Sequence, residues 1–320
     1  MASKIFNLKN KSKIRLDEFL RAELPSAIGS SVSNSKLRRL IISGSVYVGS
    51  RQIRFPSFVL FASSSVSVAV DEEKLFFEKQ PDDIKFDLSE KEILFEDDSI
   101  IVVNKPPFFP TEAGMVGSRD NLHAAVVRYL FERQKKTNPN MKNPPYVGIM
   151  HRLDRETSGV ILFTKTRAVN AHCHDMFENH TARKIYRAVV TEKKCGIDFD
   201  SALPKSFSVE FLMNRISLKS HAAKWGRVQK DGLPSKTEFT VLKKTSLGGK
   251  NVFLVECRPL TGRTHQIRVH LSSVGLPILG DELYGGDDFS RIMLHAESLS
   301  FQHPVTKENM CVRSPLPDGF

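Results

Sequence analysis

The polar loop before one apolar stretch contains the strongest candidate for a reactive side chain. This loop, residues 151–159, has the sequence HRLDRETSG and leads directly into the apolar run at 160–163. Asp154 lies there between Arg152 and Arg155, and adjacent cations favour the charged form of a carboxyl group. The pattern therefore predicts an ionised carboxylate that could act as a nucleophile or base at neutral pH. Taken alone, however, such a pattern is more often a surface ion-pair cluster followed by a plain turn.

A second segment, residues 183–190, places an aromatic side chain among cations with the sequence RKIYRAVV. Alternation along a strand puts Lys184, Tyr186 and Ala188 on one face. A tyrosine beside phosphate-binding cations could stack on a base that has left its helix. The alternative is a half-buried strand tyrosine whose basic neighbours face water.

The third segment, residues 260–271, has the sequence LTGRTHQIRVHL and is predicted to pass from a strand into a helix. Arg263 would lie at the turn, with Gln266 and Arg268 on the helix. Because an arginine at a helix start opposes the local dipole, Arg263 indicates an anionic partner such as Asp154 or a phosphate. The two histidines of the segment are predicted to be packing or surface residues.

The net charge limits the classes of partner. The 320 residues contain 47 lysines and arginines against 36 acidic residues, and the resulting charge of +11 attracts polyanions. RNA, DNA and an anionic membrane are the candidates, beside an unspecialised basic surface. Membrane is disfavoured because no apolar run approaches the ~20 residues of a transmembrane helix. Residues 1–20 also lack a signal-peptide core.

The cysteines indicate neither a zinc site nor a disulfide framework. They are Cys173, Cys195, Cys257 and Cys311. They are far apart and form no C-x-x-C pair, which is typical of reduced thiols in a cytoplasm. Residues 172–180 contain three histidines without a carboxylate-histidine signature, so no metal site is predicted.

Periodicity and charge divide the chain into two domains joined by a linker. Residues 14–70 combine two helical patterns with strand-like alternation, and residues 9–54 carry ten basic residues against three acidic ones. Residues 71–91 are acidic and weakly periodic, which predicts a linker. Residues 92–320 form the larger domain. Its predicted helices are 121–134 and 167–180, its strands are 93–95, 100–103, 159–164, 185–190 and 252–258, and 135–147 is a loop.

The smaller domain resembles the small RNA-binding domain first recognised in a ribosomal small-subunit protein. The shared segments are RLDEFL at 15–20, SKLRRLI at 35–41 and GSVYV at 44–48. The resemblance implies a small α/β, S4-like RNA-binding domain. Its RNA contacts would be Arg15, Lys36, Arg38 and Arg39.

The three polar segments together resemble the RluA-type pseudouridine synthases of ribosomal and transfer RNA. The shared motifs are HRLDxxTSG at 151–159, KxY at 184–186, TGRTHQIRVH at 261–270, LGDxxYG at 279–285 and LHAxxLxFxHP at 294–304. The likeness spans about residues 92–316. It implies an α+β pseudouridine synthase catalytic fold with a long, mainly antiparallel sheet and a central cleft.

The implied reaction is the isomerisation of uridines to pseudouridine in RNA, without a cofactor or metal. Asp154 matches the catalytic aspartate, Tyr186 the tyrosine that stacks on the target base, and Arg263 the arginine that pairs with the aspartate. The other implied substrate contacts are His151, Arg152, Arg155, Thr157, Lys184, Gln266, Arg268, Leu294 and Lys105. Whether Asp154 attacks the sugar, attacks the ring or abstracts a sugar proton stays open.

Ribosomal RNA is favoured over transfer RNA, because the basic amino-terminal domain adds a second electrostatic contact. We expect a cytoplasmic monomer. One alternative is a noncatalytic RNA-binding or ribosome-assembly protein with the same fold, which predicts loss of the Asp, Tyr or Arg. Another is a metal-dependent nuclease or phosphoesterase, which would need clustered carboxylates, whereas the acidic pairs at 97–98 and 287–288 are typical of turns.

Overall fold

The computed structural model describes residues 4–29, 32, 34–70, 84–113, 120–193, 203–217 and 224–320. Within these ranges the chain forms two compact units, one up to Val70 and one from Ile84 onward. Among the helices of these ranges, none has both the length and the apolarity needed to cross a bilayer.

The first unit is a small α/β fold. Its elements are β1 (Lys4–Lys9), β2 (Ile14–Arg15), α1 (Leu16–Ile28), α2 (Asn34–Ile42), β3 (Val46–Val48), β4 (Arg51–Ile53), β5 (Val59–Leu60) and β6 (Ser65–Val70). The sheet order is β1-β6-β3-β4, and its buried valines pack with both helices. Leu16, Leu20 and Leu24 recur at helical spacing and are buried in this core. The helix α1 ends at Gly29, whose φ of 78° is the left-handed conformation that glycine adopts readily.

The described part of this unit begins at Lys4 and not at residue 14 as predicted. Strand β1 pairs antiparallel with β6, from Lys4 opposite Val70 to Lys9 opposite Ser65. Because β1 lies at the sheet edge with its side chains exposed or half-buried, backbone pairing rather than apolar alternation defines it. The sequence therefore carries no strong signal for this strand.

The second unit contains one large sheet with helices around it. Its strands are β7 (Ile93–Glu96), β8 (Ile100–Lys105), β9 (Gly148–Ile149), β10 (Ser158–Thr164), β11 (Arg183–Val190), β12 (Lys205–Arg215), β13 (Trp225–Arg227), β14 (Leu233–Leu247), β15 (Lys250–Pro259), β16 (Leu294–Gln302) and β17 (Asn309–Arg313). Its helices are α3 (Leu122–Thr137), α4 (Asn170–Glu178) and α5 (Gln266–Ser273). The sheet order is β13-β12-β14-β15-β11-β16-β10-β8-β7, with β17 on β16 and β9 on β10.

The strand pairs of this sheet are antiparallel except for the parallel pair of β10 with β16. The expected α+β fold with a long, mainly antiparallel sheet is confirmed. The predicted helix at 121–134 forms as α3, capped by the Asn121 side chain, which accepts a hydrogen bond from the Ala124 N–H at 3.0 Å. The predicted helix at 167–180 forms in two parts, a short 3-10 turn at Arg167–Val169 followed by α4.

Part of the predicted linker belongs to the second unit. Residues 71–83 lie outside the described residues, but Leu88 is buried in the same apolar cluster as Phe109, with Ile84 and Phe86 packed against it. A 3-10 turn at Glu90–Glu92 follows. Apolar burial, which the acidic composition of the segment concealed, therefore attaches residues 84–91 to the large fold.

One glycine fixes the entry of the 151–159 loop into the sheet. Gly159 has a φ of 113°, and a Cβ atom there would lie 2.1 Å from the Ala296 carbonyl oxygen on β16. Only a residue without a side chain fits this close approach. The loop before β10 is thereby held against the edge of β16.

Candidate active site

A cavity of about 810 Å³ in the second unit brings together the three polar segments singled out in the sequence. The predicted site residues that line it are His151, Arg152, Asp154, Thr157, Lys184, Tyr186, Arg263, Gln266, Arg268 and Leu294. We call its buried lining side chains Thr157, Gln266 and Arg268 the floor. We call its more exposed arginines Arg152 and Arg263 the rim. Two predicted contacts, Lys105 and Arg155, are not among its lining residues.

The Asp154 loop is fixed by hydrogen bonds on both sides of the aspartate. The Thr157 N–H donates to the Asp154 carbonyl oxygen at 3.1 Å, which closes a tight turn. Before the aspartate, the Thr111 hydroxyl donates to the Leu153 carbonyl oxygen at 2.8 Å and accepts from the Leu153 N–H at 3.2 Å. The carboxylate, with a side chain that is 26% exposed, is therefore presented on a rigid turn.

Lys105 supports this loop from beneath and is not placed to contact a substrate. It is fully buried, and its Nζ donates to the carbonyl oxygens of Pro106 at 2.9 Å, Phe109 at 2.6 Å and Arg155 at 3.0 Å. Burial lowers the pKa of Lys105 to about 7, although the negative charges of Glu156 and Asp154 oppose that shift. The predicted substrate contact is corrected, because three backbone oxygens occupy its donors.

Arg268 is the arginine that faces Asp154. Its Nη1 lies 3.7 Å from Asp154 Oδ2 and 3.8 Å from Glu156 Oε2, while Nε and Nη2 donate to the Asp281 carboxylate at 2.7 and 2.8 Å. Burial alone would lower the pKa of Arg268, but the Asp281 hydrogen bonds and the neighbouring carboxylates raise it above its usual value. A permanent, buried positive charge therefore lies beside Asp154.

Arg263, predicted to pair with Asp154, lies at the rim and makes a different contact. Its Nε donates to the Pro234 carbonyl oxygen at 3.0 Å. The turn before α5 is fixed by Gln266, whose Oε1 accepts from the Arg263 N–H at 3.0 Å. Because α5 begins only after that turn, its first residues and not Arg263 face the aspartate. Among the described residues, Arg268 is the arginine within 4.0 Å of the carboxylate.

The Gln266 amide also differs from its predicted role in substrate binding. Its Oε1 accepts from the Thr261 hydroxyl at 2.6 Å as well as from the Arg263 N–H. Its Nε2 donates to the Lys236 carbonyl oxygen at 3.0 Å and to Thr237 Oγ1 at 2.9 Å. The amide is only 4% exposed, and its hydrogen-bonding groups are occupied by partners in the turn and on β14.

Strands β11 and β16 supply a further part of the cavity lining, which we call the wall. Tyr186 lies there beside Lys184, with Leu294 buried at the start of β16. Burial and the charge of Asp154 raise the pKa of the Tyr186 phenol, so it stays neutral. Burial lowers the pKa of Lys184. A neutral aromatic ring and a leucine form the apolar surface that a nucleobase would require.

His151 also lines the cavity, as a neutral ring. It stacks on Phe177, with ring centroids 4.3 Å apart and an interplanar angle of 25°. Its Nε2 accepts a hydrogen bond from the Leu162 N–H at 3.0 Å. Burial lowers the pKa of His151 to about 3, and Lys184 adds to that shift. The ring is therefore held unprotonated by its surroundings.

The two arginines that flank Asp154 point to different places. Arg152 is 68% exposed at the rim and pairs with Glu112 at 2.6 Å. Arg155 is 18% exposed, pairs with Glu156 at 3.1 Å and lies 5.6 Å from the centroid of the Phe108 ring. The predicted substrate contact at Arg155 is corrected, because Arg155 is not among the lining residues of the cavity and its guanidinium engages Glu156 and the Phe108 ring within the same region of the chain.

Sequence reasoning missed His265, which lies beside the aspartate, and Asp281, which lies beside Arg268. His265 has its Nε2 4.0 Å from Asp154 Oδ2, and its Nδ1 is 2.9 Å from the Tyr284 hydroxyl. Asp281, fully buried, holds Arg268. The signal for Asp281 and Tyr284 was the motif at 279–285, in which both residues are fixed, but a linear motif does not show what its members touch.

The remaining groups lie on α4 and in the first unit. Among the described residues, the set that could hold a metal is the exposed trio His174, Asp175 and Glu178 on α4, and two of its members, His174 and Glu178, also line the cavity. In the first unit, Arg15 pairs with Asp17 at 3.0 Å at the start of α1, and Lys36 and Arg38 lie on α2. The side chain of Arg39 lies outside the described residues.

Comparison with known proteins agrees with this geometry. The model of the family described as RNA pseudouridylate synthase matches residues 99–273. The ribosomal large subunit pseudouridine synthase C of Escherichia coli K12 is 32% identical over 96% of this chain and 90% of its own length. The enzyme of that name from Vibrio cholerae is 29% identical over 94% of this chain and 89% of its own length.

Two solved human structures share the fold. Human RNA pseudouridylate synthase domain containing 1 is 25% identical with a TM-score of 0.52, covering 72% of this chain and 86% of its own. Human RNA pseudouridylate synthase domain containing 4 is 23% identical with a TM-score of 0.51, covering 71% and 89%. The chain therefore belongs to the RNA pseudouridylate synthase family and is an RNA uridine isomerase.

Proposed function

We propose that this enzyme converts uridines of ribosomal RNA to pseudouridine, with Asp154 as the catalytic carboxylate. The observation that carries the proposal is the position of Asp154, which is held on a hydrogen-bonded turn 3.7 Å from the Arg268 guanidinium and lines the same cavity as Tyr186. The names of the bacterial relatives, ribosomal large subunit pseudouridine synthases, support ribosomal RNA as the substrate.

The reaction makes three demands on a site. The bond between uracil N1 and ribose C1′ breaks, a bond between C5 and C1′ forms, the proton leaves C5 and N1 gains one. The base must leave its stack, be retained while detached, and meet a nucleophile or base. In our proposal Asp154 supplies the last of these, Tyr186 and Leu294 retain the base, and the rim arginines hold the adjacent phosphates.

Replacing Asp154 with Asn tests the catalytic assignment. The change keeps shape and removes the charge, so we expect tritium release from RNA labelled at uracil C5 to fall by at least about 1,000-fold. Asp98→Asn, at an exposed turn before β8, is the matched control and should retain activity. Activity that survives in Asp154→Asn would overturn the assignment.

We further propose that the first unit binds RNA through the basic residues of α2 and that the enzyme acts in the cytoplasm. The slope of log affinity against log salt is negative. In the double variant Lys36→Ala, Arg38→Ala it should become less steep, by about 0.7–0.9 for each phosphate that the variant no longer neutralises. The control removes the same charge elsewhere, at Lys135 and Lys136 of α3. Equal slopes in both double variants would contradict a specific role for α2.

The choice between ribosomal and transfer RNA is tested in cells. Pseudouridines are mapped in both RNA classes from a strain that lacks this protein and from one carrying Asp154→Asn. We expect one or more ribosomal sites to disappear in both strains and the transfer RNA sites to persist. Loss restricted to transfer RNA would refute the ribosomal substrate while leaving the reaction class intact.

A further inference from the structure

We propose that the Tyr284 hydroxyl keeps the His265 ring in the tautomer that carries its proton on Nε2. This Nε2–H, together with Arg268, then positions the Asp154 carboxylate. The proposal rests on the proposed function, in which Asp154 is the catalytic carboxylate. Both donors approach the same oxygen, Oδ2, at 4.0 and 3.7 Å. The consequence is that Oδ1 is left as the oxygen that reacts.

The backbone at His265 directs its ring into the cavity. His265 precedes α5 with φ 56° and ψ 19°, a left-handed conformation that is uncommon for residues other than glycine, although asparagine, aspartate and histidine are enriched in it. The surrounding structure must hold such a residue in place. Here the ring lines the cavity with a side chain that is 16% exposed. The unusual backbone therefore serves to place an imidazole beside the aspartate.

The hydrogen bonds of Tyr284 define the tautomer. The Trp225 backbone N–H, which can only donate, gives its hydrogen to the Tyr284 hydroxyl oxygen at 3.0 Å. The hydroxyl proton then needs an acceptor, since buried O–H groups are almost always paired. Among the described residues, the acceptor within reach is His265 Nδ1 at 2.9 Å. If Nδ1 accepts, the single proton of a neutral imidazole lies on Nε2.

Both partners are neutral, as this arrangement requires. Burial lowers the pKa of His265, although the charge of Asp154 opposes the shift. Burial likewise raises the pKa of Tyr284. Arg268, Glu156 and Asp281 also surround the ring, and their charges partly cancel. A neutral donor stabilises the carboxylate through an N–H dipole and has no second proton with which to neutralise it.

At 4.0 Å the His265 Nε2 and Asp154 Oδ2 atoms are too far apart for a direct hydrogen bond. Catalytic hydrogen bonds are often long in free enzymes and tighten in the complex with substrate. In our proposal the His265 ring and the Asp154 carboxylate approach to hydrogen-bonding distance when the substrate binds. His265 therefore acts through Asp154 as a positioning residue rather than as a catalytic one.

Amide replacements separate the two ring nitrogens. The amide nitrogen of glutamine can reach the place of Nε2, whereas that of asparagine reaches only the place of Nδ1. We expect His265→Asn to lower kcat by about 10- to 100-fold, the loss of one hydrogen bond to a charged group, with KM changed less than about twofold. His265→Gln should recover at least about a third of that loss on a logarithmic scale, and Tyr284→Phe should lower kcat by about 3- to 10-fold.

The backbone preferences of asparagine and glutamine predict the opposite order of the two variants, so the test distinguishes a structural role from a positioning role. Asparagine suits the left-handed conformation better than glutamine, so a purely structural role for His265 predicts that His265→Asn is the milder change. Thermal unfolding of each variant monitors that effect. A kcat of His265→Asn equal to or above that of His265→Gln would overturn the proposal.

A measurement without turnover covers the case in which the RNA assay itself fails. In protein labelled with ¹⁵N-histidine, the ring signals that vanish in His265→Gln belong to His265. We expect the wild-type shifts of a neutral ring protonated on Nε2, and a shift toward a tautomer mixture in Tyr284→Phe. A wild-type ring protonated on Nδ1 would overturn the inference, whether or not the enzyme modifies ribosomal RNA.

Discussion

At the floor of the cavity, the Arg268 guanidinium is 4% exposed and directs all three of its nitrogens toward carboxylates. At the rim, the Arg152 side chain is 68% exposed and has one acidic partner, Glu112, in the part of the chain that the structure describes. The same functional group is thus used in two ways. On the floor it is immobilised and cannot adapt to a ligand. At the rim it keeps the freedom and hydration that phosphate binding needs.

The difference separates positioning from binding within one cavity. Floor groups such as Gln266 have every polar atom engaged by the protein, so they set the geometry of Asp154 and the turn before α5. Their loss should affect kcat and folding. Rim groups contact solvent, and their loss should affect KM and the salt dependence of binding.

The largest effect on stability is expected when an arginine is replaced by methionine on the floor, compared with the same replacement at the rim. Arg268→Met leaves the fully buried Asp281 without its cation, and breaking a buried pair in this way typically costs about 3–5 kcal/mol. Arg263→Met, at the rim, should change the free energy of unfolding by no more than about 0.5 kcal/mol. Urea denaturation followed by circular dichroism measures both.

The activities of this pair sharpen the result. If Arg268 is the partner of Asp154, Arg268→Lys, which keeps a charge but not the three-way contact, should lower kcat by about 100-fold. Arg263→Lys should leave kcat within about threefold of the wild type. Similar losses at the two positions would mean that the rim and the floor do not differ as the geometry indicates.

A smaller effect is expected beneath the floor, at Lys105. Its pKa is lowered from 10.5 to about 7 in the folded protein, so between about pH 7 and pH 10 the unfolded chain holds a proton that the folded chain releases. Stability then rises with pH, by at most about 1.4 kcal/mol per pH unit. The wild type should therefore gain stability relative to Lys105→Met as the pH is raised through this window.

Denaturation of the two proteins at pH 7, 8, 9 and 10 isolates this contribution, because the other titrating groups are common to both. A constant difference would show that Lys105 keeps its proton throughout. The Arg155 carbonyl oxygen that Lys105 holds belongs to the Asp154 loop, so Lys105→Met should also lower kcat more than it raises KM.

The sequence predicted the cavity well where a residue's role depends on its own chemistry and spacing. Asp154 and Tyr186 line the cavity as expected, because a polar turn and strand alternation determine where their side chains point, and Leu294 lines it as the family resemblance implied. The helix α3 followed from apolar periodicity and α5 from the strand-to-helix pattern at Gly262, whereas the long, mainly antiparallel sheet was implied by the resemblance.

Prediction failed where a role depends on which donor meets which acceptor. Lys105, Gln266 and Arg155 have the polar groups expected of substrate contacts, but buried backbone oxygens, hydroxyls and carboxylates engage them instead. The wrong assignment of Arg263, and not Arg268, as the partner of Asp154 has the same origin. A spacing of five residues puts both near the helix start, and only the fixed turn at Gln266 decides which one faces Asp154.

The smallest expected effect concerns the rim itself, at Arg152. Because its guanidinium is exposed and pairs with Glu112, an exposed ion pair worth little to folding, Arg152→Ala should leave the free energy of unfolding within about 1 kcal/mol of the wild type. Because the variant has no guanidinium to bind a phosphate, its KM should rise by about 10-fold while kcat stays unchanged. The slope of log affinity against log salt should become less steep by about 0.7–0.9. Steady-state kinetics at several salt concentrations measure both quantities.

Glu112→Gln is the control, since it removes the competing carboxylate and should lower KM. A fall in kcat for Arg152→Ala with an unchanged salt slope would instead place this arginine with the floor, as a residue that acts on the reacting nucleotide and not on the backbone.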